Sequence, residues 1–560
     1  MARPSHEDVI KGFNDQLGKA EKAWKPHLLQ FQHNYDQYLN NPAKTKREKS
    51  KDAMYVHHIY QQIETIVPRM VTPDPKFDLD PREAQNEEAV ELVQQKIDYD
   101  LERDRFVEKQ VEMAKTTLIC GITVGKVIWD KRERTSTYHD WEAGPEDSPT
   151  GSKKIVERNS PSLLSVNLFD FFPQPGPTNI ESMDHVFHRT WLTEAELKAR
   201  GDLKGSDGKP LYKNINKALA EGVFGSGSGD KELSNERPED AEGRRGDRFE
   251  VIERWKRGRL TTVVNRSVVI RDCGNPYWHG QLPFVAASSQ PDVRSFVGIS
   301  EIEVIENIVR MIHKFENLRM RAAEFAVNPV IKMRRGMKGG HSIDWRPGAQ
   351  IYLDRPDDIQ TEIPNTNLQA GWAEVQAYLG YMQQVSGVSP FIAGADPSTS
   401  GINQETATGA SILQAEANKR LALKLLQMQV MYSKVAKFFV QLNQQFMTTP
   451  EMIRVVGAEG IKWVQVDPQS IAGEYDVRSA NSAESLAKSG EVQRLNDVLM
   501  TLSQYAQMQM SDGTVVDIKY PLKKLLDTIG VDSDKCFTMP QPPQPPEELI
   551  AEPTDPGMMM

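Results

Sequence analysis

The sequence predicts an α+β fold that is mostly helical, and three observations carry that expectation. Apolar residues recur at helical spacing over two long stretches, 300–327 and 405–446. Short segments rich in β-branched and aromatic residues stand apart from them, at 125–129, 251–255 and 260–270. The chain has 560 residues, more than one hydrophobic core usually serves, so several structural zones are expected.

Taken in order, residues 1–110 read as helices. Ile59, Ile63, Ile66 and Val67 share a helical face, and Pro68, Pro73 and Pro75 are expected to end that run. A charged helix is expected over 83–115, then the strands already named. Between them, 222–247 is dense in Gly, Ser, Glu, Asp and Arg and reads as a surface loop. Ser300 and Glu303 have capping-box spacing and open a helix that should run to Val327, roughly 40 Å at 1.5 Å per residue. Asn328-Pro329 breaks it, because proline disfavours helical geometry in the residue before it. A glycine-rich basic insert follows, with a turn at Pro347-Gly348 and a short strand at 350–353. A shorter helix over 367–385 ends at Gly387 and Pro390, and 393–404 is a polar loop with turn chemistry throughout. The longest helical pattern, 405–446, is followed by strands at 461–466 and 475–477, helices over 482–528 and a proline-rich tail at 540–560, expected to be disordered.

Composition limits the function. Hydrophobic residues make up 39% and charged residues 26%, with mean hydropathy −0.54, which suits a soluble chain with extended solvated faces. No run of eighteen apolar residues occurs and residues 1–25 are charged, so neither a membrane span nor a secretory leader is expected. Cys120, Cys273 and Cys536 lie far apart with no CxxC, which argues against a disulfide framework or a zinc site and fits a reducing compartment. A net charge of −10 argues against a general phosphate-gripping protein.

Signatures of catalysis are weak. Gly121 to Val127 has the look of a phosphate-binding loop but is one residue short and lacks the Ser or Thr that would hold Mg²⁺; a helix-to-strand turn is the better reading. His185 and His188 lie three apart with no third ligand in view, and His57 and His58 are adjacent, so surface or core histidines are expected. No HExxH, GxSxG or Cys/His arrangement occurs. No catalytic residue, cofactor or metal site is expected. The strongest periodic signal is a heptad seam through Leu421, Leu425, Met428, Tyr432, Val435, Phe439, Leu442 and Phe446, and a similar register runs through Val304, Ile308, Met311, Phe315, Leu318, Ala322 and Phe325. Ordinary core packing explains one such seam; two of them, charged elsewhere around the helix, suggest lateral packing against copies of the chain. Arg334, Arg335, Lys338, Trp345 and Arg346 form a basic patch whose apolar neighbours favour docking of a protein over DNA.

The order of parts resembles the portal protein of a tailed bacteriophage over residues 34–496, with the podovirus type as the expected branch. The carrying residues are Ser165 to Pro175 followed by Asp184 to Arg189, Pro276 to Val285 leading to Gly298-Ile299-Ser300-Glu301, and Gly387-Val388-Ser389-Pro390, Gly394 and Glu405 to Gly409. The resemblance implies a wing over 1–297, a first stem helix over 298–327, a clip over 328–366 and a second stem helix over 367–388. A tunnel loop over 389–404, a long helix with returning wing strands over 405–480, a crown over 481–530 and a tail over 531–560 complete it.

It further implies a ring of about twelve subunits at one capsid vertex in the virion, assembled in the host cytoplasm, with double-stranded DNA passing through the centre. Capsid and scaffolding proteins, the terminase large subunit and tail adaptors would be the partners, and no membrane is involved. The clip residues Arg334, Arg335, Lys338, Trp345 and Arg346 would dock partners, and Asp396, Ser398, Thr399, Ser400, Asn403 and Gln404 would face DNA. Lys419, Arg420 and Lys424 would either ring the lumen or face solvent outside the wing. The rival expectations are a packaging-associated nucleic-acid-processing enzyme, which would need a phosphate loop or a carboxylate metal cluster, and a helical scaffold with no channel.

Overall fold

The computed structural model describes residues 6–40, 54–72, 75–83, 87–138, 151–203, 208–222, 248–327, 330–333, 359–362, 368–388, 407–457 and 460–479, with isolated positions beyond these at 205, 355, 499–500 and 522–523. The chain divides into two compact units, 1–482 and 483–560, and the elements below belong to the first. The expected mobile loop at 222–247, the strand at 350–353, the tunnel loop and the tail lie outside the described residues, as does nearly all of the crown. The fold is mixed helix and strand, as expected.

Helix α1 (His6–Tyr38) buries Phe13, Leu17, Ala20, Trp24, Leu28 and Phe31, a single stripe at helical spacing. Helix α2 (His58–Met70) carries two residues past Pro68, because near a helix end proline removes only its own N–H bond. Strand β1 (Phe77–Pro81) leads to α3 (Glu87–Arg103) and α4 (Phe106–Cys120). The expected single charged helix is therefore two, broken at Arg105, which adopts left-handed geometry at φ 50°. Strands β2 (Thr123–Tyr138) and β3 (Gly151–Ser165) form a long ribbon, β4 (Phe171–Pro173) and β5 (His185–Leu192) follow, and α5 (Glu194–Gly201) and α6 (Ile215–Ala220) are short. Strands β6 (Phe249–Lys256), β7 (Arg259–Val264) and β8 (Val268–Gly274) make a meander, and β9 (Phe284–Ala287) follows. The run 260–270 is thus a hairpin whose turn residues, Asn265 and Arg266, both have positive φ.

Helix α7 (Glu301–Val327), strands β10 (Val330–Met333) and β11 (Ile359–Glu362), helix α8 (Leu368–Ser386) and the forty-residue helix α9 (Ala407–Phe446) come next. Strands β12 (Glu451–Gly457), β13 (Gly460–Val466) and β14 (Tyr475–Ser479) close the unit.

The sheets are antiparallel: a five-stranded sheet in the order β4-β5-β6-β7-β8, a three-stranded sheet β3-β2-β9, and the pairs β1-β14, β10-β11 and β12-β13. One core gathers α2, α3, α4, the N-terminal half of α7 and the C-terminal part of α9. A second lies between α1 and the five-stranded sheet, where the Trp24 indole donates to the Leu168 carbonyl at 3.0 Å. A third, smaller core tucks α5 and α6 against β6 to β8.

Candidate functional site

Helices α7 and α8 with the β10-β11 ribbon form an excursion raised on the foot of α7, and that foot is fixed from several sides. Ser300 Oγ accepts the N–H of Ile302 at 3.0 Å and lies within hydrogen-bond reach of the Leu118 and Ile119 carbonyls at the end of α4. The glutamate of the expected capping box turns elsewhere: Glu303 accepts from Asn34 of α1 at 3.1 Å. Glu301, 2% exposed, accepts from Gln290 at 2.5 Å and from the Lys424 ammonium of α9. Gly298 and Gly121 meet backbone to backbone, and a Cβ on Gly121 would lie 2.3 Å from the Gly298 carbonyl oxygen.

Higher up, α7 is tied to the segment before α2. His313 Nε2 lies 2.9 Å from the Val56 carbonyl, and Asn317 exchanges hydrogen bonds with the backbone of Met54. The His58 ring stacks on His313 at 6.0 Å, and burial with the neighbouring imidazole pushes His58 down to about 4. Farther out, α7 and α8 pair as antiparallel helices. Phe315 stacks on Tyr378 at 5.6 Å and the Arg319 guanidinium sits 4.9 Å over the Trp372 ring. The ribbon β10-β11 extends this hairpin beyond the helices, with Val330 opposite Glu362 and Lys332 opposite Gln360.

Both seams change meaning here. On α9, Leu421, Leu425, Met428, Tyr432, Val435, Phe439 and Leu442 are all buried within the subunit against helices and strands, so this seam is core packing and not a contact between copies. On α7 the deeply buried face is Ile302, Ile305, Val309 and Ile312, next to the expected seam. Val304, Ile308 and Phe315 sit on its shoulder, and Leu318 and Phe325 are 48% and 47% exposed. Periodicity placed both stripes on one helix; only the packing decided which goes inside.

The phosphate-loop lookalike is dismantled by topology. Gly121 ends α4 in left-handed geometry, Gly125 sits inside β2, and Lys126 is buried against Glu253 at 2.6 Å. The order helix, turn, strand is the reverse of a phosphate loop, so no helix N-terminus faces an anion there. Burial would raise the Glu253 carboxyl, but Lys126 and its other neighbours hold it well below the usual range; burial and Lys126 push His188 down to about 3. This cluster bolts β2 to the five-stranded sheet. Among the described residues no group of three His, Cys, Asp or Glu side chains could hold a metal ion, and no helix is long and apolar enough to cross a membrane.

Comparison with known proteins decides the family. A model of the phage SU10 portal protein family matches residues 82–555, most of the chain. The chain belongs to the phage SU10 portal protein family. No curated protein matches it closely enough to count as a relative. In this portal chain the stretch 298–327, expected as a first stem helix, holds α7, and the stretch 367–388, expected as a second, holds α8. The tunnel-loop residues Asp396, Ser398, Thr399, Ser400, Asn403 and Gln404 and the clip residues Arg334, Arg335, Lys338, Trp345 and Arg346 lie outside the described residues. Lys419 and Arg420 stand on α9 with their side chains outside the description. Lys424 turns into the subunit, where Glu301 takes its charge. Sequence reasoning missed the foot of α7 as an assembled joint; Gly298 beside the helix start was a local signal, whereas the Glu301–Lys424 pair joins residues 123 positions apart.

Proposed function

We propose that the chain forms a closed ring of about twelve copies at one vertex of a phage head, through which double-stranded DNA enters during packaging and leaves on ejection. The observation that supports this best is the family match taken with the helix–ribbon–helix excursion of α7, β10-β11 and α8, whose outer half carries apolar side chains that a solitary subunit would leave in water. Residues 328–366 at its tip form the clip, where Arg334, Arg335, Lys338, Trp345 and Arg346 dock the terminase and later the tail adaptors. Residues 389–404 face the DNA with Asp396, Ser398, Thr399, Ser400, Asn403 and Gln404, and Lys419 and Arg420 supply transient phosphate contacts. The net charge of −10 suits a wall that repels phosphate and so lowers friction. The protein's part is passive: gasket, platform and channel, while a separate motor hydrolyses ATP.

Labelling mature heads with a tagged chain tests the reading as a whole. One labelled vertex per particle is expected; label spread over many vertices, or absent from heads, contradicts it. Reversing charge at Arg334 and Arg335 should spare folding and ring formation but block terminase docking; unchanged docking removes those residues from the clip's function. Alanine at Lys419 and Arg420 should change packaged DNA length or retention, and normal packaging removes them from the channel.

A further inference from the structure

The face of the five-stranded sheet that Lys126 reaches carries a row of directly opposed residues, one from each of four neighbouring strands: His188 on β5, Glu253 on β6, Thr262 on β7 and Arg271 on β8. Opposed residues share a face, so these side chains are neighbours. Two guanidinium groups lie against the ring of Tyr212, which stands between α5 and α6. Arg271 is 5.4 Å from the ring centre and Arg200 of α5 is 6.0 Å from it. Arg271 Nη1 also donates to the Tyr212 hydroxyl at 3.4 Å.

Donors outnumber acceptors in this cluster. Arg271 Nε, Arg200 Nη1 and the hydroxyl of Thr262, a residue 0% exposed, are all buried, and among the described residues none has a hydrogen-bond partner. Charge is unbalanced in the same sense. Among the described residues the one carboxylate that pairs with Lys126 or Arg200 is Glu253, at 2.6 Å and 3.9 Å, and Arg271 pairs with none. Burial and the Lys126 charge push His188 down to about 3, so it is neutral and adds no charge. Other sequestered cations of the subunit have two carboxylates each. Lys96 has Asp100 at 2.7 Å and Glu451 at 2.9 Å, and Arg266 has Glu21 at 2.8 Å and Glu250 at 2.9 Å. Buried donors and an unpaired cation are costly unless an acceptor of opposite charge completes them.

We propose that Arg200, Tyr212, Thr262 and Arg271 hold a small oxyanion of the phosphate class. Guanidinium forks match the oxygens of such an anion, and the hydroxyls can donate to those that remain. Strand β8 is an edge of its sheet and the Arg200 side chain is 27% exposed, so the anion enters from solvent past that edge. Thr262 is too deeply buried for a phosphate fixed in a duplex backbone to reach it, which selects a free anion over DNA. The site does not depend on the ring reading above.

Thermal unfolding of the full-length chain, titrated with inorganic phosphate at constant ionic strength, tests it. The midpoint should rise with phosphate, because a ligand of the folded state stabilises that state by mass action. Arg271→Met should weaken the phosphate affinity by about tenfold or more, as loss of a charge-assisted hydrogen bond does, and Thr262→Val, which keeps the shape and loses the hydroxyl, by about fivefold. Lys22→Gln, at an exposed cation of α1, should keep the full response. In phosphate-free buffer Arg271→Met should unfold no earlier than the unaltered chain, since it removes a cation that the fold leaves unpaired; were it to misfold, Thr262→Val decides alone. A midpoint indifferent to phosphate overturns the proposal. So does an equal rise in all four chains, which would mean an adventitious ion only, or duplex DNA binding that needs Arg271 while free phosphate does not bind.

Discussion

At Gly298 one added carbon has nowhere to go: it would sit 1.7 Å from Ser288 Oγ, 2.5 Å from the Gln290 carbonyl oxygen and 2.9 Å from that of Gly121. A serine hydroxyl can rotate away, but two backbone oxygens cannot. Gly298→Ala should therefore destabilise the subunit by about 1–3 kcal/mol, as overpacking does. Gly12, inside α1 with nothing within 4 Å, should answer in the opposite sense, Gly12→Ala stabilising by about 0.5–1 kcal/mol. Thermal unfolding of the two variants checks both signs, and a neutral Gly298→Ala would mean the joint has slack. Acid acts at this scale too. Burial holds His188 down at about 3 and His58 and His279 at about 4, all below the ordinary value of 6.5. An imidazole kept neutral by burial takes its proton more readily in the unfolded chain, so stability is full above about pH 6.5 and falls as the pH drops toward 4. Glu253, held low by Lys126, adds a loss in the acid range below its unfolded value. The unfolding midpoint should decline steadily from pH 7 to 4, and a flat profile down to pH 5 contradicts the burial of these three histidines.

At the scale of elements, the foot of α7 depends on a charge pair that α9 completes. Lys424→Met strands Glu301 in a site 2% exposed, and an unpartnered buried charge costs about 3–5 kcal/mol. Amide exchange over residues 300–312 should speed up in that variant and return toward normal when Glu301→Leu is added; unchanged exchange would mean that α9 does not hold the stem. Much of this element was legible in the sequence. Ser300 announced its start and Asn328-Pro329 its end, because caps and proline act within a few residues. What was not legible depends on distant partners. Strand β1 exists because Phe77 to Pro81 pairs with Tyr475 to Ser479, almost 400 positions away, and five residues give no periodicity of their own. Arg105 breaks a continuous helical pattern by adopting φ 50°, a geometry residue type does not announce. The choice between the two stripes of α7 needed α2 and α4 to be in place.

For the whole molecule, α9 is packed inside the subunit, while the hairpin of α7 and α8 leaves apolar side chains of its outer half exposed. The contrast between α9, with its seam buried, and the outer halves of α7 and α8, with Trp372, Tyr381, Leu318 and Phe325 exposed, locates the unfinished surface on that hairpin. A closed ring finishes that surface; a monomer leaves it in water, and an open helical array leaves ends. The order of helices and strands was largely readable because it is a sequence property; the joint at Gly298 and the exposed faces of α7 and α8 were not, because both are defined by neighbours. Imaging of the purified full-length chain by electron microscopy, paired with native mass measurement, tests the central claim most directly. The account expects closed rings with a central hole and a single mass close to twelve subunits of 63.3 kDa each. Single compact particles, or filaments of open-ended mass, would contradict it.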